Sequence, residues 1–353
     1  MRKASLISLL GLSVLLLFSL TGCGDDASDK DTLVISTWGF NEDIFWENVF
    51  TPFEEEHDVE IELVVGNNSE RLNEVRMRAE EGQDQVVDVI YLAENYAIQG
   101  RNDGLFAEIN RENIPNLEEI YEIGQAPLGE EYGPAYTIGS YGLVYDSEEV
   151  DMEVESWTDL WNEEFEGRVS MPEINTTAGP LNVVIAAEDK QGVTIQDEDE
   201  AFEALKDLDE NVLEYYGRSS ELVNMFTQGE VLIAGVQDFA FEGIKDGLPS
   251  AEWVDPVEGT FVNRNVVNVV EGTENQELAE EFINFLLSEE VQERNALDKL
   301  DSPINKNVEL TEEEAEGLTY GEDVIESLRT TDSDYIVEHT EEWSHRWNRE
   351  LSQ

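Results

Sequence analysis

Apolar residues recur along this chain in two rhythms. Short runs that are apolar at every position or at alternate ones, Leu33-Val34-Ile35-Ser36-Thr37-Trp38, Val59 to Val65 and Val86 to Leu92, predict strands. Between them, spacings of three and four predict helices over Phe45 to Phe53, interrupted at Pro52, and over Glu70 to Glu81. Gly66-Asn67-Asn68-Ser69 forms a loop and cap before the second helix, and Glu94-Asn95-Tyr96 opens another. Such strand–helix alternation builds a mainly parallel sheet with binding loops at the carboxyl ends of its strands.

The pattern restarts farther along. Gly133-Pro134 marks a turn, and Tyr136 to Tyr145 predicts a long strand whose Gly139 and Gly142 mark close approach of a backbone or a ligand. Ser156 caps a short amphipathic helical turn, Trp157 to Trp161. Strands follow at Arg168 to Pro172, Val231 to Val236 and Phe261 to Val270, with helices at Ala201 to Leu208, from Ser219, and at Leu278 to Leu287. The end of the chain, 311–353, predicts a helical tail in which Trp343 and Trp347, four apart, fit packing.

Residues 1–23 have the layout of a targeting segment, with Arg2 and Lys3 before an apolar stretch from Leu6 to Leu20. That stretch is shorter than the roughly 20 residues a membrane span needs. Leu20-Thr21-Gly22-Cys23 resembles the bacterial lipobox, which implies an acylated Cys23 anchoring an exported protein to the outer face of a membrane. Cys23 is the only cysteine, so no internal disulfide is possible. Residues 24–31 then form a polar tether.

Charge narrows the function. The 353 residues carry 82 Asp+Glu against 20 Lys+Arg, a formal net charge of −62 spread along the whole chain. Such a surface repels phosphate backbones and excludes nucleic acid as a partner. Evenly spread acid fits a halophilic source, where about 1 M salt screens charges within a few ångströms. No enzyme constellation stands out: His57, His339 and His345 lack metal-ligand spacing, and no Gly-x-Ser-x-Gly occurs. Neither a metal nor a cofactor is expected. A secreted hydrolase and a purely structural surface protein stand as the other classes.

Several stretches together carry a family resemblance. The strand ending in Tyr145-Asp146, then "SWTDLW" and "EGRVSMP", "FTQGEVLIAGVQ", the Pro256-Val257-Glu258-Gly259 turn and "LAEEFINFLL" resemble the solute-binding proteins of ABC importers, in particular the spermidine/putrescine-binding branch. The resemblance covers residues 31 to about 310. It implies an α/β, two-lobe periplasmic-binding-protein-like fold of type II, each lobe a mainly parallel sheet flanked by helices, with two hinge strands. Lobe 1 would be 32–137 plus about 266–310, and lobe 2 would be 138–265. A monomer delivering a small solute to a membrane permease is the implied function.

The same resemblance places candidate ligand residues at Thr37, Trp38, Asn67, Asn68, Asn95 and Tyr96 in the first lobe, and at Tyr141, Thr176, Thr177, Gln237, Asp238 and Arg264 across the second lobe and hinge. Trp38, Tyr96 and Tyr141 each fit an aromatic wall for ammonium groups or plain packing. Polyamine-binding relatives place carboxylates in the loop matching Glu173 to Thr177, Trp after the "GEV" strand, and an aromatic and an Asp where Val262 and Arg264 stand. This chain keeps only Glu173 of that set. Arg264 with Asp238 in one cleft would suit a zwitterion, or Arg264 could pair with an acid. Thr176 and Thr177 at a helix start would favour an anionic group. Ferric-ion binders need neighbouring tyrosines where this chain has Gln237 to Phe241, which argues against iron.

Overall fold

The first strand, β1 (Thr32–Thr37), is flanked by two parallel partners, β2 (Glu60–Val65) and β3 (Val89–Ala93). All five residues of β3 are buried, as expected of a strand covered on both faces. Helix α1 (Asn68–Glu81) follows β2, and α2 (Glu94–Asn102) follows β3 directly. The computed structural model describes residues 30–351. Contacts divide the chain into Met1–Lys30 and Asp31–Gln353, and the fold is that of the second unit. The targeting segment, most of the tether and Cys23 lie outside the described residues.

Pro52 does not interrupt its helix. A five-residue π-turn, Trp46–Phe50, joins short α-helical stretches, and Pro52 falls in the first turn of the segment Thr51–His57. The Thr51 N–H reaches back five residues to the Trp46 carbonyl, so the change of register absorbs the proline. Residues Val86 to Asp88 also leave the predicted strand, because the Asp88 carboxylate turns to accept from the Val34 N–H at 2.8 Å.

A long strand, β4 (Ala135–Asp146), opens the second half. Ser156 caps the predicted short helical turn, Trp157–Trp161, which is of the 3-10 type. Then come β5 (Val169–Pro172), α3 (Glu198–Asp209), β6 (Val212–Tyr216), α4 (Ser219–Thr227), β7 (Ile233–Gln237) and β8 (Ala251–Val254). The return strand β9 (Phe261–Val269) leads to α5 (Gln276–Leu286) and α6 (Glu289–Leu297), and α7 (Ser333–Glu350) ends the described chain.

One sheet runs through everything in the order β2-β1-β3-β9-β4-β7-β5-β6, with β8 paired to β4. Parallel strands fill both outer parts, while β9 and β4 run antiparallel to each other at the centre, from Ala135↔Val266 to Tyr141↔Phe261. Continuity at the centre does not merge the cores. One surrounds β1 to β3 and α5, with Phe50, Phe53, Tyr91 and Phe282. Another surrounds β5 and α3, with Trp157, Phe202, Trp343 and Trp347. The strands β4 and β9 therefore join two lobes. Their glycines sit at tight spots: a Cβ on Gly142 would meet the Trp253 ring at 2.5 Å, and one on Gly139 the Asp238 carboxylate at 3.0 Å.

The carboxyl-terminal segment links the lobes a third time. It leaves α6 with Asn305 Nδ2 bonded to the Leu287 carbonyl in lobe 1. It then passes Thr319, whose hydroxyl donates to Asp238 at the end of β7. Arg329 bridges to Phe261 of β9 and pairs with Asp189 at 2.9 Å and Glu188 at 2.7 Å. Helix α7 buries Ile336, Trp343 and Trp347 in the lobe 2 core, and Asp334 in its first turn pairs with Arg101 of α2 in lobe 1.

Candidate functional site between the lobes

In lobe 1 the loop before α1 is set by its own polar side chains. Asn67 Oδ1 accepts from the Glu70 N–H at 2.9 Å and Glu70 returns a bond to the Asn67 N–H, a reciprocal cap. Asn68 Oδ1 accepts from the Ala93 N–H at 3.2 Å, which ties this loop to the end of β3. Beneath them lies Arg71, almost fully buried. Its guanidinium donates to the carbonyls of Gly66 at 2.9 Å, Ser36 at 3.1 Å and Tyr91, and to Asn68 Oδ1. One cation thus gathers the carboxyl ends of β1 and β3 and the loop after β2. Among the described residues no carboxylate pairs with it, and burial lowers its pKa to about 10.

Lobe 2 presents two loops opposite. The turn after β5 is held by Thr176, whose hydroxyl donates to the Glu173 carbonyl at 2.7 Å and accepts from the Gly179 N–H at 3.1 Å. Glu173 accepts from Asn175 Nδ2 at 2.8 Å and meets no basic side chain among the described residues. The turn after β6 leads into α4, whose third residue, Glu221, accepts from the N–H groups of Gly217 and Arg218 at 2.9 and 3.0 Å.

These walls enclose a cleft of about 430 Å³. Asn67, Asn68, Ser69 and Tyr96 line it from lobe 1; Glu173, Thr176, Thr177, Arg218, Ser219 and Gln237 line it from lobe 2. Tyr96 is half buried, and burial pushes its hydroxyl pKa up. A smaller cavity of about 90 Å³ shares Thr177 and Gln237 with the cleft and adds Asn95, whose Oδ1 is buried without a partner.

Asp238 and Arg264 do not share one cleft, and of the two readings of Arg264 the structure shows the pairing with an acid. Arg264, 9% exposed, is held by Glu94 at 2.8 Å and by the Ile123 carbonyl at 2.9 Å, and it faces the smaller cavity. Asp238 lines a third cavity of about 150 Å³ with Asn263, Asn265 and Asp301. It accepts from the N–H groups of Ser140 at 2.9 Å and Phe239 at 2.8 Å and from Thr319. Burial raises its pKa while those bonds hold it down. Arg264 is thus neutralised by Glu94, while Asp238 keeps only uncharged donors and lies in a different cavity.

Three other candidates belong to packing. Tyr141, 1% exposed, stacks on Trp157 at 5.3 Å in the lobe 2 core and reaches only the wall of the smaller cavity. Trp38 packs beside Tyr91 with the Arg71 guanidinium 4.9 Å from its ring, and Thr37 is 1% exposed with its hydroxyl unpaired. Thr176 reaches the cleft with its hydroxyl committed to its own turn. Asn67, Asn68, Tyr96, Thr177 and Gln237 are brought together; Asn95 lies in the adjoining cavity.

Sequence reasoning passed over Arg218, Ser69, Asn263, Asn265 and Asp301. For Arg218 a signal existed: an arginine directly ahead of the helix predicted from Ser219, in a chain with few bases. The others gave none.

Two lobes joined by paired strands, with a polar cleft walled from both sides, define a hinged solute-binding protein. Residues 48–318 match the bacterial extracellular solute-binding protein family, and the chain belongs to it. A crystal structure of an ABC transporter protein from Clostridium perfringens is 41% identical, with a TM-score of 0.84, covering 90% of this chain and 99% of that one. The γ-aminobutyric acid-binding protein of Pseudomonas aeruginosa is 24% identical over 91% of both chains. The spermidine/putrescine-binding periplasmic protein 1 of Haemophilus influenzae is 22% identical over 78% of this chain and 79% of its own.

Proposed function

We propose that this chain is the capture component of an ABC importer: a monomer, lipid-anchored through Cys23 outside the membrane of a halophilic cell, that closes on a solute and presents it to a permease. It would act by binding, without turnover. The observation that carries this reading is the cleft itself, whose polar lining comes from two separately cored lobes. Closure changes the distance between walls without unmaking either core, and a solute touching both walls favours the closed state.

The solute we propose is a small aliphatic amine. Relatives are named for spermidine, putrescine and γ-aminobutyric acid, which share a primary ammonium group on a flexible carbon chain. Glu173 supports it, as a cleft carboxylate without a basic partner, and Tyr96 offers an aromatic face across from it.

The test is thermal stability in molar salt against putrescine, spermidine, γ-aminobutyrate, betaines and sugar phosphates. A solute at a hundred times its dissociation constant adds about 2.7 kcal/mol, a readable shift. Stabilisation by none of them, with unchanged dimensions in solution, would overturn the proposal.

A further inference from the structure

Resting on the capture reading, we infer that the solute also carries an anionic group and that Arg218 receives it. In a chain of net charge −62, the other described arginines each meet an acceptor. Most meet a carboxylate; Arg71, Arg111 and Arg168 meet carbonyl oxygens. Arg218 is the exception: it lines the cleft, and its guanidinium has no hydrogen bond, ion pair or ring contact among the described residues. Acids outnumber bases about four to one here. The neighbouring Glu221 uses Oε2 to accept the Gly217 and Arg218 N–H groups and makes no bond to the guanidinium.

The opposite wall agrees in sign. Arg71 puts a buried positive charge behind Asn68, with only uncharged oxygens around it. It disfavours a second ammonium against lobe 1 and favours an anion there. The amide and hydroxyl groups of Asn67, Asn68, Ser69 and Ser219 can donate to carboxylate or phosphoryl oxygens alike. Glu173 is the one carboxylate on the cleft wall. A dication would meet a single acid, whereas an amine bearing an acid group finds one partner for each end.

Titration calorimetry of the full-length chain in molar salt decides the matter, with putrescine, γ-aminobutyrate, butyrate and inorganic phosphate as probes. The inference predicts γ-aminobutyrate or phosphate binding at least about tenfold tighter than putrescine. Arg218→Gln should weaken the anionic probe by about 10- to 100-fold, the range of a charged hydrogen bond lost, and Arg218→Lys by less. Putrescine affinity should stay within about twofold in both variants. Arg218 is exposed, so an unchanged melting temperature of the unliganded variants separates binding from folding. Putrescine binding tightest, with Arg218→Gln indifferent to every probe, would sink this inference and leave capture standing. No binding of any probe by the wild-type chain would sink both.

Discussion

Arg264 and Asp301 show how far a residue's neighbours decide its role. Arg264 sits on a hinge strand at a position suited to a solute carboxylate, yet Glu94, 170 residues away, holds it. Removing the arginine strands a buried carboxylate, so Arg264→Ala should cost about 3 kcal/mol of stability, measured by urea unfolding in molar salt. A cost below about 1 kcal/mol would mean the pair is solvated. Asp301 is half-buried, with Oδ2 buried and unpartnered, and burial pushes its pKa up to about 8, with Thr137 pulling the other way. Its folded pKa lies above its unfolded value of 3.8. Between about pH 4 and pH 8 the unfolded chain therefore loses a proton that the folded chain keeps, and stability falls by up to about 1.4 kcal/mol per pH unit. Asp301→Asn should flatten that fall and raise the melting temperature at pH 7; parallel curves for the two proteins would contradict it. Neither partner was visible in the chain's order. Local spacing identifies residues near a cleft but not which distant partner meets them, and so the choice between a solute and an acid stayed open for Arg264 and Arg218 went unnoticed.

Elements were more legible, because period follows from geometry within a few residues. The long strand with Gly139 and Gly142, the Asn67 cap and the helix from Ser219 all lie where their patterns put them. The edge strand β6 was not foreseen, since its half-exposed Val212-Leu213-Glu214-Tyr215-Tyr216 has no clean alternation. The four-residue β8 was too short to register. Pro52 misled because a wide turn can absorb a proline, which sequence alone does not reveal. The tail was legible as helix but not as architecture. In α7 the fully buried Trp347 stacks edge-on to Tyr215 at 4.7 Å, and Trp343 Nε1 donates to Glu198 at 2.8 Å. Trp347→Ala should therefore destabilise the protein by about 3–5 kcal/mol. Calorimetric melting would show it, and a shift of under a degree would return the tail to the status of an appendage.

For the molecule as a whole, three chain crossings hold the lobes together: two central strands and the segment anchored by Thr319 and Arg329. The strands can flex where β4 and β9 pair, while the third link limits how far the lobes separate. Surface acid adds self-repulsion that salt relieves, so the melting temperature should rise steadily from low to molar salt; a flat response would remove the halophilic reading. Capture by closure is the claim on which everything else rests. Small-angle X-ray scattering tests it most directly, on the full-length chain in molar salt with and without a saturating solute that stabilises it. The account predicts a smaller radius of gyration and a shorter maximum dimension with solute bound. A bound solute that leaves both unchanged would contradict it.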